Sequence, residues 1–495
     1  MPGMKILVAN RGEIATRILR TCREMNLPSV AVFTNADETG LHVRYADEAV
    51  NIGDRQNYLN PASILEAARV TGSTAIHPGY GFLSENSIFV KAVEDAGLIF
   101  IGPSSETTSI MGDKLSARRY ARQAGIPVIP GTDEPLPQEM PVEMAKLVQY
   151  PVLVKAAAGG GGRGIRLAKN SEELPTVIAA ARSEALAAFG DDTVFLESLV
   201  QQARHIEVQI LGDGHGKLLC LGERECSIQR RRQKLIEEAP AHGLPVATRN
   251  QLYAAASRLG RELNYRSLGT VEFLLDSDGE FYFIEVNPRI QVEHPVTEMV
   301  TGIDLVKEQL SLACGEKIHY QQGDISLRGS AIEARVLAED TKEGFLPSTG
   351  QITYLKEPGG IGVRVDSALY QGMVVGADYD SLLAKVIAWG ENRPAAIQRL
   401  RRALNEFQIG GIATDIDFLL QIIESPQFME GNVTTTYLES FQPAPQEPQE
   451  ELERELAWVA ALFTHQQRDN NPEKENPQAS RWQMAAWKEQ MSGNY

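Results

Sequence analysis

The stretch Ile6-Leu7-Val8-Ala9-Asn10-Arg11-Gly12-Glu13-Ile14-Ala15-Thr16-Arg17-Ile18-Leu19-Arg20-Thr21-Cys22-Arg23-Glu24-Met25-Asn26-Leu27-Pro28-Ser29-Val30-Ala31-Val32-Phe33 decides the fold class. Ile6-Leu7-Val8-Ala9 is a continuous apolar run, as a strand covered on both faces requires. Ile14, Ile18, Leu19, Cys22 and Met25 then recur at helical spacing. Ser29 to Phe33 is a second β-rich run. Strand, helix and strand in so short a span predict a βαβ unit and a parallel sheet. Ala75-Ile76-His77 and Leu98 to Gly102 are expected to extend the same layer. No G-x-G-x-x-G follows the first strand, so the dinucleotide fingerprint of a dehydrogenase is missing.

Working outward, 495 residues suggest about three domains. A hydrophobic content of 43% and a charged content of 23% belong to a globular chain with a core. With 48 basic and 65 acidic residues the formal net charge is −17, which argues against general nucleic-acid or anionic-membrane binding. Cys22, Cys220, Cys226 and Cys314 form no C-x-x-C pair, so neither a disulfide framework nor a structural zinc site is expected. No apolar run is long enough to span a membrane, and the N-terminus does not read as a signal peptide, so a cytoplasmic location is expected. The proline-rich run Phe441 to Pro448 reads as a linker. Beyond it, Leu452, Leu456, Val459 and Phe463 mark an amphipathic helix, and Asp469 to Ser480 reads as loose.

Three stretches carry candidate chemistry. Pro151 to Ala158 runs into Gly159-Gly160-Gly161-Gly162-Arg163-Gly164, and Ile165-Arg166-Leu167 resumes a strand. Glycines at a hairpin tip let backbone N–H groups approach phosphate oxygens, and Lys155 beside them can neutralise one. The alternative is a plain glycine linker.

The second is Gly269 to Arg289, read as a hairpin turning at Asp276–Gly279. That register sets Glu272 opposite Phe283 and puts Glu272, Glu285 and Asn287 on one face. The other face then carries Val271, Phe273, Leu275, Tyr282, Ile284 and Val286. Two carboxylates and an amide oxygen without His or Cys suit Mg²⁺. The alternative is a solvated polar face, and a one-residue slip would part the acids. Past Pro288, Arg289, Gln291 and Glu293 alternate onto one side; the first two can bind an oxyanion and the third can act as a base.

The third is the basic run Cys226 to Lys234, which by itself reads best as a solvated charge run. His205, Glu207 and Gln209 share a strand face and are either substrate groups or cross-strand partners.

Together these residues resemble the biotin carboxylase family of ATP-grasp enzymes over about residues 4–442. The resemblance rests on ordered motifs: Ala9 to Ala15, His77 to Asn86, Met111-Gly112-Asp113-Lys114, the Gly159–Gly164 loop, Arg289 to Glu298 and Ala338-Glu339-Asp340. It implies a mixed α/β and α+β chain: an N-terminal doubly wound, Rossmann-like domain (1–112), an ATP-grasp domain (113–330) with a mobile lid near 131–202, a β-rich C-terminal domain (331–442), and a linker with a helical tail (443–495). It implies that ATP, with Mg²⁺ or Mn²⁺, phosphorylates bicarbonate to carboxyphosphate. N1 of biotin on a carrier protein is then carboxylated. This is the first half-reaction of acetyl-CoA carboxylase in fatty acid synthesis, or the same step in a two-subunit pyruvate or other acyl-CoA carboxylase.

By the same resemblance Glu272, Glu285 and Asn287 match metal positions. Lys114, Lys155, Gly159, Gly160, Gly161, Gly162, Glu197, His205 and Gln229 match ATP contacts. Lys234, Arg289, Gln291, Val292 (through its N–H) and Glu293 match bicarbonate contacts, with Glu293 the base. Tyr80 and Arg335 match biotin positions, Arg335 stabilising the biotin enolate. Lys234, Arg289, Glu293 and Arg335 form the catalytic set. Two positions depart from the family pattern: Ser198-Leu199 stands where it has a basic then an aromatic residue, and Arg232 where it has His or Asn. The implied partners are a biotin carboxyl carrier protein, carboxyltransferase subunits and a second copy of the chain, with Arg17 at that interface; no nucleic acid or membrane is implied.

Overall fold

The computed structural model describes residues 3–138, 149–158, 164–443 and 458–459. The chain divides into two units, Met1–Gln442 and Pro443–Tyr495. In the second, Trp458 and Val459 are helical and exposed. Leu452, Leu456, Phe463 and the stretch Asp469 to Ser480 lie outside the described residues.

The first unit begins with a parallel sheet of β1 (Ile6–Val8), β2 (Ser29–Phe33), β3 (Glu48–Asn51), β4 (Ala75–His77) and β5 (Ile99–Phe100) in the order β3-β2-β1-β4-β5. The central strand β1 is wholly buried, as its unbroken apolar run requires. Helix Gly12–Glu24 buries Ile14, Ile18, Leu19 and Cys22 as their spacing predicts. Strand β3 has no apolar run because it is a solvent-facing edge, with three of its four residues exposed.

Strands β6 (Val152–Ala156), β7 (Ile165–Ala168) and β8 (Val194–Ser198) form a small antiparallel sheet in the order β7-β6-β8. Helix Leu174–Phe189 covers it, and Leu136, Val152, Val154, Ile178 and Leu196 fill the space between. The glycines Gly159, Gly160, Gly161 and Gly162 at the β6–β7 tip lie outside the described residues.

The largest layer is an antiparallel sheet of eight strands. Five come first: β9 (Arg204–Asp213), β10 (Leu218–Arg230), β11 (Gln233–Ala239), β12 (Arg266–Leu275) and β13 (Phe281–Asn287). Strand β14 (Ser330–Leu337) joins the edge of β11, followed by Leu382–Gly390 and Val363–Ser367. The sheet therefore runs unbroken across position 330. One core serves both sides of that position, drawing Ile228, Leu235 and Ile236 together with Ile332, Val336 and Leu400.

The β12–β13 hairpin corrects the expected register. Leu275 pairs with Phe281, not with Glu280, so the loop holds one more residue than read from the sequence. That slip alone would separate the acids. A β-bulge then leaves Ile284 unpaired, so Phe273 faces Phe283 while Glu272 faces Glu285. The two offsets cancel for the carboxylates. Near the tip the faces are the reverse of those expected: Phe281 and Phe283 enter the core with Val271, Phe273 and Leu275, while Tyr282 and Ile284 are half-buried.

The basic run also differs from a free charge run. Arg231 and Arg232, with φ of 50° and 65°, make the two-residue turn between β10 and β11. The Arg230 guanidinium stacks 3.5 Å from the Phe345 ring centroid, and Arg232 Nη1 donates to the Ile165 carbonyl at 3.0 Å. Arg17, expected at an interface, is 8% exposed. Its guanidinium is held by Glu298 (3.0 Å) and Asp304 (2.7 Å) of its own chain.

Candidate active site

The centre of the large sheet presents a row of charged residues, one per strand. Arg224 on β10 lies beside Glu207 on β9, Glu207 beside Glu272 on β12, and Glu272 beside Glu285 on β13. The neighbouring row sets Gln209, Thr270 and Asn287 side by side. Alternation along each strand aims these polar groups away from the Val271–Phe273–Leu275 core.

Lys234 on β11 binds the row together. Its Nζ donates to Glu207 Oε2 and Glu293 Oε1 at 2.6 Å each, to Glu272 Oε1 at 3.1 Å and to Gln291 Oε1 at 3.5 Å. Burial pushes the Lys234 ammonium down, but the three carboxylates outweigh it and hold it well above the ordinary lysine range. Burial likewise pushes Glu293 up, and Lys234, Arg335 and Arg224 hold it well below the ordinary carboxylate range. Glu293 therefore carries its charge at neutral pH while 2% exposed. Arg224, 0% exposed, is held by Glu207, by Gln209 at 2.7 Å and by Thr297 at 2.9 Å.

At the positions expected to hold metal, Asn287 and Gln291 donate to Glu272 Oε1 at 2.8 and 3.1 Å. Gln229 donates to Nδ1 of His205 at 2.7 Å, which puts the ring proton on Nε2, 3.0 Å from Glu272 Oε2. Burial pushes Glu272 up, but Lys234 and His205 hold it well below the usual range. Glu285 is raised by burial and by the like charge of Glu272 opposite. Two facing carboxylates, one short of counter-ions, with an amide oxygen two residues on, make a hard-oxygen donor set that fits Mg²⁺. Arg289 reaches the same side: its Nε lies 3.0 Å from Glu85 Oε1, and its Nη2 donates to Asn287 Oδ1 at 3.1 Å.

A second group sits where the small sheet meets helix Lys114–Gln123. Lys155 and Arg118 both pair with Glu197, and Arg118 also donates to the Ile129 carbonyl at 2.8 Å. Burial lowers the Lys114 ammonium, with Glu285 opposing that effect and Lys155 adding to it. The structure thus brings Lys114, Lys155 and Glu197 to one place, on the Glu285 side of the charged row.

A third group lies across β11, β14 and Leu382–Gly390. Arg335 Nη2 is shared between Glu293 Oε2 at 2.9 Å and Glu237. Burial raises Glu237 to about 7, and raises Glu333, its cross-strand neighbour, well above the usual range. Lys385, 0% exposed and opposite Arg335, donates to the Val292 carbonyl at 2.8 Å and lies 3.2 Å from Glu13 Oε1. Tyr80 donates its hydroxyl to the same Glu13 oxygen.

Glu293 is the hinge between the groups: one oxygen faces Lys234 and the other faces Arg335. Among the residues expected from the sequence, Lys234 contacts Glu272, Gln291 and Glu293, and Glu293 contacts Arg335. His205 lies between Gln229 and Glu272, Arg289 contacts Asn287, and Lys155 pairs with Glu197. Sequence reasoning missed Arg118, Arg224, Glu237 and Lys385. The charge alternation Glu223-Arg224-Glu225 was a usable signal for Arg224, since a strand with acids on one face and a base on the other needs partners on both. All four cysteines are free, and no described helix is long and apolar enough to cross a membrane.

Three family models match the chain in sequence. The biotin carboxylase N-terminal domain covers residues 2–108, the carbamoyl-phosphate synthase L chain ATP-binding domain 113–321, and the biotin carboxylase C-terminal domain 333–440. The biotin carboxylase of Nostoc sp. (strain PCC 7120) is 49% identical over 439 residues, 88% of this chain and 98% of that protein. The biotin carboxylase of Pseudomonas aeruginosa is 49% identical over 440 residues, with the same two coverages. A crystal structure of the biotin carboxylase domain dimer of Hydrogenobacter thermophilus 2-oxoglutarate carboxylase, with MgADP and bicarbonate, superposes with a TM-score of 0.86. It is 46% identical and covers 88% of this chain and 97% of that one.

Proposed function

The chain belongs to the biotin carboxylase family of ATP-grasp ligases, and from that premise we propose how its own residues carry out ATP- and bicarbonate-dependent carboxylation of biotin. Lys234, Arg289, Gln291 and the Val292 N–H hold bicarbonate. Glu293, ionised between Lys234 and Arg335, takes the bicarbonate proton. A carboxylate held so far below its usual range is a weak base. The transfer therefore depends on Lys234 and Arg289 lowering the pKa of bicarbonate at the same time. The oxygen so exposed attacks the γ-phosphorus of ATP, ADP leaves, and carboxyphosphate forms.

Lys114, Lys155, the glycines Gly159–Gly162, Glu197, His205 and Gln229 hold the nucleotide. Glu272, Glu285 and Asn287 would hold Mg²⁺, which offsets phosphoryl charge when bound. Carboxyphosphate breaks down to CO₂ and phosphate, and the phosphate takes the N1 proton of biotin. Arg335, released from Glu293 as that acid takes its proton, stabilises the resulting enolate oxygen beside Tyr80 while N1 bonds to CO₂. The lid near 131–202 supplies a cover that keeps the short-lived carboxyphosphate from water.

The observation that carries this reading is the position of Glu293, with one carboxylate oxygen on Lys234 and the other on Arg335. ADP release by the purified chain is expected to need bicarbonate and to rise on addition of free biotin. Release that needs an amine and ignores biotin would refute it.

We further propose the domain limits 1–112, 113–330 and 331–442, a homodimer, and a separate carrier protein and carboxyltransferase as partners. The four free cysteines support a reducing, cytoplasmic location. Acetyl-CoA carboxylase is our first choice of complex, with pyruvate or other acyl-CoA carboxylases as the second reading. A 2-oxoglutarate carboxylase domain is 46% identical to this chain, close to the 49% of the Nostoc enzyme. We assign the choice of acceptor to the separate transferase, a reading that relatives named for different carboxylases support.

A further inference from the structure

One buried acid in the nucleotide group has more positive charge around it than the proposed reaction uses. Glu197 is 2% exposed, Arg118 3% and Lys155 8%. Glu197 Oε1 is taken by Arg118 and Oε2 by Lys155, so both carboxylate oxygens are committed. Arg118 is anchored independently of Glu197: its Nη2 donates to the Ile129 carbonyl, and its Cζ lies 5.7 Å from the Phe195 ring centroid. It stands one helical turn after Lys114 on helix Lys114–Gln123, on the same face.

Lys155 cannot serve a phosphate and remain wholly with Glu197. If Lys155 alone neutralised Glu197, its departure would leave an uncompensated buried carboxylate, which is strongly unfavourable. Arg118 removes that difficulty because it keeps its contact when Lys155 turns.

We propose that Arg118 is a positioning residue for the nucleotide. It holds the Glu197 carboxylate paired, so that the Lys155 ammonium moves from Glu197 to a nucleotide phosphate without stranding a buried charge. This rests on the assignment of Lys155 as a nucleotide contact. Arg118 itself touches neither nucleotide nor bicarbonate. It sets the free energy at which Lys155 is released, and so acts on nucleotide affinity and not on the chemical step.

The test uses the full chain with MgADP and MgATP as probes. Arg118→Met is expected to weaken MgADP binding at least tenfold and to raise the KM for ATP in parallel, with kcat changed less than threefold. Glu197→Gln removes the charge that needs a partner, so adding Arg118→Met to Glu197→Gln is expected to change MgADP affinity less than threefold from Glu197→Gln alone. Arg118→Lys should give partial recovery. Thermal unfolding of every variant is recorded alongside, and the comparison in the Glu197→Gln background keeps the test open if Arg118→Met folds poorly. Unchanged MgADP affinity in Arg118→Met, or a tenfold loss on adding Arg118→Met to Glu197→Gln, overturns the proposal. Lys155→Met separates the two readings: if it leaves MgADP binding intact, the assignment of Lys155 has failed. If it weakens binding while Arg118→Met does not, only the role of Arg118 has failed.

Discussion

Replacing Glu293 by glutamine should separate catalysis from stability, because of how its neighbours are shared. Glu293 accepts from Lys234 at 2.6 Å and from Arg335 at 2.9 Å. Removing one partner of a buried ion pair commonly costs about 3–5 kcal/mol through the charge left behind. Neither cation is left bare here. Lys234 keeps Glu207 and Glu272, and Arg335 keeps Glu237. The glutamine amide retains the shape and part of the hydrogen bonding, so the expected stability change is about 1 kcal/mol. In a unit of this size that moves Tm by roughly 3 °C or less. Catalysis has no such reserve, since Gln cannot accept the bicarbonate proton. Loss of a positioned base lowers rate by roughly 10²–10⁴, or about 3–6 kcal/mol of barrier.

The assay is steady-state ADP release with saturating ATP, bicarbonate and biotin, with a thermal melt of the same preparation. Glu293→Gln is expected to melt with the parent and to turn over at least a hundredfold more slowly. Turnover within tenfold of the parent would refute the role of Glu293. A large fall in Tm that tracks the fall in rate would show that Glu293 holds the fold and not the chemistry.

Glu285→Gln is expected to raise the Mg²⁺ concentration needed for half-maximal turnover at least tenfold with little change in bicarbonate KM. Glu272→Gln should disturb both, because Glu272 also engages Lys234 and Gln291; identical Mg²⁺ titrations for parent and Glu285→Gln would remove Glu285 from the metal set. Burial pushes the imidazoles of His77 and His42 down to about 3 and about 4. A lowered histidine pKa favours the neutral form in the fold, so the unfolded chain binds more protons below pH 6.5. Stability is then full above that pH and falls by about 1.4 kcal/mol per pH unit per histidine as the pH drops toward 4. The Tm of His77→Gln should accordingly vary less with pH between 6.5 and 5 than that of the parent, and an equal slope would contradict it. Truncation after Gln442 removes only the second unit and should leave free-biotin-stimulated ADP release unchanged while weakening co-purification of the carrier and transferase. Loss of the release, or unaltered co-purification, counts against that view of the tail.

The parallel layer was legible because β1 and β2 are buried on both faces and spell that out as unbroken apolar runs. The edge strand β3 was not, since Glu48, Ala49 and Asn51 face solvent and carry no pattern. Alternation foretold that Glu272, Glu285 and Asn287 converge, but it has no means of counting loop residues or of placing a bulge. The expected register was wrong at the tip, and Ile284 restored the outcome. The proposed bicarbonate residues Arg289, Gln291 and Glu293 were readable as one local run, whereas Lys234 sits in a basic run that reads as solvated charge. Partners contributed by distant elements were not. Glu237, on β11, and Arg118, on helix Lys114–Gln123, have unremarkable sequence neighbours, and only the tertiary fold brings them to Arg335 and Glu197.

The continuity of the eight-stranded sheet limits how such a chain can be recombined. A crossover between genes at position 330 joins residues from two parents along the β11–β14 edge. There Ile236 pairs with Ala334 and Glu238 with Ile332, and Ile228, Leu235 and Ile236 share one core with Leu400 and Leu419. Such a hybrid must match two independently drifting surfaces along a whole strand. The same exchange would also divide Glu293 from Arg335, whose shared contact spans that edge. A crossover after Gln442 meets neither obstacle. Inheritance should therefore transmit residues 1–442 as a block, and variation in architecture should collect beyond it.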